Sequence, residues 1–155
     1  MEERAPPGAL ALGYAGLIPF WALAVGAAVP GPLGVLSVQA YAVYAAAILA
    51  FLGGVRWGAE IAQTPQTSAA RLACSVLPSL AGWAIALFAI VGPRLAGPGG
   101  VFAAVFAAML LWDRAGAKAG LLPPWYGRLR IPLSLGVIGS GLALAGAQVW
   151  VRAQS

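Results

Sequence analysis

The side chains that could do chemistry in this sequence are few. Its 155 residues include no histidine, one cysteine and four carboxylates. Histidine is the side chain most often used as a general base and metal ligand, and Cys74 alone can form neither an intrachain disulfide nor a two-thiolate site. The sequence therefore predicts no catalytic residue, no cofactor-binding residue and no metal site, and we expect a protein that is not an enzyme.

Two of the carboxylates, Glu60 and Asp113, stand beside basic residues at the ends of apolar runs. Arg56 and Asp113 each close such a run, which indicates a similar depth in a membrane, and Gly53-Gly54 would let another helix come near Arg56. We predict that Arg56 bonds Asp113 and serves packing, with Glu60 as the rival partner of Arg56. Since Asp113 and Arg114 can snorkel to the headgroups, no buried ionisable group is expected.

The elements that must position these side chains follow from the composition. A soluble domain of this length would carry about 39 charged residues, whereas this chain has nine basic and four acidic ones and is 61% hydrophobic. Such a chain cannot cover a water-facing surface with polar groups. The sequence predicts an integral membrane protein, with the lipid bilayer as its first partner and no nucleic acid.

Five transmembrane helices in a single domain, residues 1–155, are predicted from the apolar runs and their breaks. Ala5 to Val55 is free of charge but holds the helix-breaking string Pro30-Gly31-Pro32-Leu33-Gly34, so it is divided into two spans. The last predicted span opens with Pro132 in its first turn. The five predicted spans are 8–29, 35–57, 72–91, 99–116 and 131–151.

The fourth span, 99–116, is short enough to be a re-entrant hairpin instead, and the basic residues favour the five-span arrangement. With five spans, seven Lys and Arg residues share one side (Arg4, Arg56, Arg71, Arg114, Lys118, Arg128 and Arg130), against Arg94 and Arg152 on the other. Four spans would remove this asymmetry, which marks the cytoplasmic face. We therefore predict a multi-pass protein of the bacterial inner membrane, N-terminus cytoplasmic and C-terminus periplasmic. The first span is interpreted as retained, because its apolar run exceeds that of a signal peptide and its start is not basic.

Small residues every four positions along the second span (Ala42, Ala46, Ala50, Gly54 and Gly58) predict a helix-packing face, within the chain or toward another protein. Leu52 is expected to face away from this packing face.

Pro19 and Pro78 predict bends in their helices, either static kinks or hinges. Five residues are predicted to lie at the membrane interface: Trp57, Trp125, Tyr126, Arg128 and Arg130.

Three segments resemble a family of small polytopic membrane proteins called domain of unknown function 3429, whose animal members are named transmembrane protein 69. They are Leu12 to Phe20, Phe51 to Gly58 and Pro124 to Arg130, with Gly-Gly-Val-Arg-Trp-Gly as the most specific string. The resemblance implies the five-span layout and supplies no catalytic residue. Family members in proteobacteria and mitochondria imply an energy-transducing membrane and an accessory role.

Three functional hypotheses follow. The first is a non-enzymatic accessory, assembly or scaffold protein that packs against other membrane subunits, lipids or copies of itself through its Gly/Ala faces and basic edge. The second is a small oligomeric transporter or channel, with Gln39, Tyr41 and Tyr44 along its path. The third is a lipid-modifying enzyme that uses Glu60 or Asp113. The expected absence of buried ionisable groups and cofactor ligands favours the first.

Overall fold

The computed structural model describes residues 5–62, 67–92 and 97–154, and these residues are organised entirely as helices and their connections. The first two helices follow one another closely and together form one membrane-length segment, Pro7–Gly26. With the four long helices, five segments are long and apolar enough to cross a membrane. The six helices are α1 (Pro7–Ala15), α2 (Leu17–Gly26), α3 (Pro32–Ile61), α4 (Ala69–Val91), α5 (Pro98–Lys118) and α6 (Pro124–Arg152).

The first predicted span, 8–29, is interrupted and ends earlier than expected. The interruption falls at Gly16, because Pro19 has no N–H to bond the carbonyl of Ala15. The hydroxyl of Tyr44 on α3 donates a 3.0 Å hydrogen bond to the carbonyl of Gly16 at this break. Gly31 has φ +91°, a value that favours glycine, and it lets α3 begin directly at Pro32.

The three middle helices lie where the sequence predicts them and run somewhat longer. α3 continues four residues past Trp57, to Ile61, and α4 begins at Ala69 after the N-cap Ser68. α5 forms a full-length span at Pro98–Lys118, which supports a fourth crossing rather than a re-entrant hairpin. Residues 1–4, 63–66, 93–96 and 155 lie outside the described part of the chain, and with them Arg4, Arg94 and the loop around Pro65.

The last helix begins earlier than the predicted opening at Ile131. α6 begins seven residues earlier, at Pro124, which occupies the first turn where a missing N–H costs least. Pro132 lies inside the helix, where its ring nitrogen has no N–H to donate to the preceding turn. The basic and aromatic residues before Ile131 are therefore helical rather than in a loop.

The helices pack as two antiparallel hairpins, α3 with α4 and α5 with α6, and α2 packs against both α3 and α6. α4 and α5 contact each other much less. Edge-to-face aromatic rings fill the middle of the bundle, with centroids 4.9 to 6.3 Å apart: Phe20, Tyr41, Tyr44, Phe102 and Phe106. Large apolar side chains are exposed on every helix, as expected of a surface that faces lipid.

Close helix contacts form at glycines, and of the predicted ladder they involve Ala46 but neither Gly54 nor Gly58. A Cβ on Gly53 would lie 2.5 Å from the carbonyl oxygen of Ser75 on α4, and one on Gly82 would lie 2.9 Å from the Cα of Ala46. Gly54 and Gly58 face open space. Positions four apart drift by about 40° per step on a helix of 3.6 residues per turn. The stripe therefore starts buried at Ala42 and rotates out of the bundle.

The first part of the ladder, Ala42 and Ala46, packs within the chain, whereas Ala50, Gly54 and Gly58 face out of the bundle. Leu52, expected to face elsewhere, is only 3% exposed and belongs to the core. Contact of Gly54 and Gly58 with another protein stays a prediction.

Candidate functional site

A buried ion-pair cluster joins α3, α5 and α6 at the end of the bundle that carries most of the charged side chains, which we call the charged end. At its centre is Asp113, which is 0% exposed. The Nε of Arg56 lies 3.3 Å from Asp113 Oδ1, and the Nε of Arg130 donates a 2.9 Å hydrogen bond to Asp113 Oδ2. The predicted Arg56–Asp113 pair is confirmed. We call these three residues the Asp113 cluster.

The expectation that no ionisable group is buried is wrong. Arg130 is only 6% exposed, because α6 starts early and its second turn faces α5. Its position at the depth of the membrane interface stays a prediction. Asp113 does not reach outward toward headgroups, since both of its oxygens face arginines. Ionisable groups are therefore buried in this bundle, and they are buried together, as the cost of desolvating a charge requires.

Arg56 is held by more than the carboxylate. Its Nη2 donates a 2.6 Å hydrogen bond to the carbonyl of Trp112, and its guanidinium carbon lies 4.2 Å from the centroid of the Trp112 ring. A cation over an aromatic face is stabilised by the ring quadrupole. Gly116, one turn further along α5, packs directly against the guanidinium, and any Cβ there would overlap it.

The Asp113 cluster is not fully satisfied. Two arginines face one carboxylate, which leaves one positive charge in excess. Arg130 Nη2 and the hydroxyl of Tyr126 are buried without a hydrogen-bond partner, and Arg56 Nε and Asp113 Oδ1 are close without hydrogen-bond geometry. The cluster retains donors and a net attraction for an anion.

Glu60 makes a second ion pair and is not the partner of Arg56. Its carboxylate accepts a 2.7 Å hydrogen bond from the Nε of Arg71 and a 2.6 Å hydrogen bond from the backbone N–H of Ser68. Glu60 is buried, while the Arg71 side chain is nearly half exposed. The pair ties the last turn of α3 to the first turn of α4.

An open crevice of about 500 Å³ lies between α4 and α5, and α3 also contributes lining residues. The weak contact between α4 and α5 leaves this space, which we call the α4–α5 crevice. One end is lined by the charged residues Arg56, Glu60 and Arg71, and the exposed thiol of Cys74 also lines it. The other walls are mainly apolar and include Leu77, Pro78, Ala81, Val105, Ala108 and Met109.

The remaining predicted interface residues lie around the charged end with different exposures. Trp57 is 42% exposed and Arg128 is exposed, whereas Trp125 and Tyr126 are half-buried and stack edge to face at 6.0 Å. Their position at a lipid headgroup region stays a prediction. Arg128 also lines a shallow basic pocket of about 230 Å³ together with Arg114 and Lys118.

Tyr41 and Ser140 join α3 to α6 by a hydrogen bond in the bundle interior. Ser140 Oγ donates to the carbonyl of Val137 at 2.7 Å, so its 2.9 Å contact with Tyr41 requires the tyrosine hydroxyl to donate.

Across the described ranges, no group of three or more His, Cys, Asp or Glu side chains is placed to hold a metal ion. Arg130 is the site residue that sequence reasoning missed, although Pro123-Pro124 signals an earlier helix start.

The chain matches a family model described as "Protein of unknown function (DUF3429)" over residues 5–146. That match extends over nearly the whole bundle, from α1 into α6. The chain belongs to the DUF3429 family. It is also similar to transmembrane protein 69 of Xenopus tropicalis, with 43% identity over 91 residues. The aligned part covers 56% of this chain and 35% of the frog protein, so this DUF3429 protein matches about a third of that relative's length. No solved structure matches it.

Proposed function

We propose that this DUF3429 protein is a non-enzymatic accessory or scaffold protein of an energy-transducing membrane, where it binds other membrane subunits. The observation that carries the proposal is the Asp113 cluster. Its carboxylate is fully buried and forms ion pairs with two arginines from two other helices, so its charges hold α3, α5 and α6 together. Glu60 likewise joins α3 to α4. Both acids in the described part of the chain, Glu60 and Asp113, are engaged in ion pairs between helices.

The interior of the bundle supports binding over transport through a single chain. The aromatic rings of Phe20, Tyr41, Phe102 and Phe106 fill its middle, and the hydroxyls of Tyr41 and Tyr44 are bonded to neighbouring helices. A solute path would have to run between copies of the chain. The alternative proposal is therefore an oligomeric transporter or channel.

The membrane and orientation form part of the proposal. Five membrane-length helices make the protein multi-pass, and the basic side chains at the charged end favour the cytoplasmic side for that end. We propose the bacterial inner membrane, with the N-terminus cytoplasmic and the C-terminus periplasmic.

Copurification from native membranes in mild detergent, followed by mass spectrometry, tests the proposal. An accessory protein should bring down specific membrane subunits, whereas an oligomeric transporter should purify mainly with copies of itself. Gly54→Leu adds bulk on the outward face of α3, where the chain itself leaves open space, and should reduce partner recovery without lowering stability. Gly146→Leu, at an equally open position on α6, is the matched control. Recovery of no other membrane protein would overturn the accessory role.

A further inference from the structure

The α4–α5 crevice has the two-part chemistry of an amphiphile site. Its long walls are apolar, and its charged residues are confined to one end, where Arg56 and Arg71 are near Glu60. A volume of about 500 Å³ lies inside the range of about 300 to 1,000 Å³ that is typical of small-ligand sites. Exposed lining residues such as Leu77 and Ala108 show that the crevice opens sideways, toward the apolar exterior of the bundle.

The net charge of the side chains at that end favours an anionic ligand. The Asp113 cluster and the Glu60–Arg71 pair together contain three arginines and two carboxylates, which leaves one positive charge. Arg114, Lys118 and Arg128 line the second pocket, which has no acidic lining residue. The excess charge is partly shielded from water, so it attracts an anion more strongly than an exposed lysine would.

The size of the crevice favours a flexible chain over a helix. The lining residues of α4 run from Arg71 to Ala81, a length of about 15 Å at about 1.5 Å per residue, which is half of the roughly 30 Å hydrocarbon core. A helix long enough to cross the membrane could only lie against the opening, whereas an acyl chain can enter it.

We propose that the α4–α5 crevice binds one anionic phospholipid, with an acyl chain along the walls formed by Leu77, Pro78, Val105 and Met109 and the phosphate at the Arg56–Arg71 end. This inference rests on the proposed function in one respect, that the chain acts in a bilayer as a binding protein.

Cys74 provides the test, because it is the chain's single cysteine and it lines the crevice with an exposed thiol. The protein is purified in mild detergent, and the rate at which maleimide alkylates Cys74 is measured with added short-chain phosphatidylglycerol. At about ten times the dissociation constant of the lipid, the alkylation rate should fall about tenfold. Phosphatidylcholine with the same chains should protect clearly less, and inorganic phosphate should not protect.

Matched variants locate the effect. Ala108→Trp fills the crevice and should abolish the dependence of the alkylation rate on lipid, while Leu111→Trp, exposed on the same helix outside the crevice, should keep it. Arg71→Gln should reduce the preference for phosphatidylglycerol, and Arg114→Gln should not.

Equal protection by the two lipids would overturn the charge recognition, and no protection would overturn the lipid site. Protection of Cys74 in native membranes by a crosslinked protein, with none from lipid, would assign the crevice to a helix instead. Subunit copurification is measured separately and through the α3 face, so failure of the lipid site and failure of the accessory role are distinguishable.

Discussion

At the scale of single residues, the charged side chains that are buried in the bundle lie in ion pairs, which lowers the free-energy cost of removing them from water. Asp113 would be costly alone inside a bundle, and each of its oxygens faces the Nε of an arginine. The arginines come from helices far apart in the sequence, so the pairing also fixes how α3 and α6 are set against α5.

Asp113→Asn should be the most damaging conservative change in the Asp113 cluster. It preserves shape but leaves Arg56 and Arg130 facing each other without a counter-charge, a loss of about 3 to 5 kcal/mol in the free energy of unfolding. Arg56→Gln and Arg130→Gln should each cost less, because Asp113 keeps one partner. Denaturation in mild detergent measures all three. An Asp113→Asn protein as stable as the wild type would show that the cluster contributes nothing to the fold.

Charge reversal tests whether the Arg56–Asp113 pair acts as a unit. Arg56→Asp and Asp113→Arg should each reduce accumulation of the protein, and the double reversal should restore part of the loss. Restoration is partial because Arg130 would then face a new arginine at position 113. Purely additive damage, measured by quantitative blotting of membranes, would refute the pair.

At the scale of helices, close backbone approach decides which glycines matter. Gly53 and Gly82 lie in the α3–α4 contact, while Gly54 lies one position away on the outside. Gly120 has a different role, since its φ of +74° ends α5 and its N–H bonds the carbonyl of Ala117. That turn leads into α6 and returns Arg130 toward Asp113.

Gly53→Leu and Gly54→Leu form a matched pair of neighbours. At position 53 the side chain collides with the carbonyl of Ser75, with an overpacking cost of about 1 to 3 kcal/mol or more. At position 54 the free energy of unfolding should change by no more than about 0.5 kcal/mol. Leu52→Ala should lower the free energy of unfolding by about 2 to 5 kcal/mol, because Leu52 is buried. Thermal melting in detergent gives the order; a larger loss at Gly54 than at Gly53 would contradict the α3–α4 packing.

At the scale of the whole molecule, an odd number of crossings places the two ends of the chain on opposite sides of the membrane. Reporter fusions after Pro65 and after Lys118 should both read cytoplasmic, and a fusion after Ser155 should read exported, because basic residues are retained on the cytoplasmic side. A fusion before Met1 is the control and should match the first two. Opposite readings at Pro65 and Lys118 would mean that α5 does not cross.

The sequence by itself determined the class, the number of membrane-length helices and one ion pair, although not its burial. Apolar length and charge depletion are properties of a single segment, so the five spans and the break at Pro30-Gly31-Pro32 could be read directly. The Arg56–Asp113 pair was predictable because both residues lie at the end of an apolar run. In addition, Gly53 has no side chain, so another helix can approach α3 close to Arg56.

Tertiary structure decided the rest, because it depends on rotation and separation rather than on segment length. Arg130 became a partner of Asp113 only because α6 starts at Pro124 and packs its second turn against α5. A four-residue ladder drifts around its helix, so only the packing of α4 against α3 determines that Gly53 faces inward and Gly54 outward. The α4–α5 crevice is a gap between helices that pack better against other neighbours, and no residue pattern along the chain encodes such a gap.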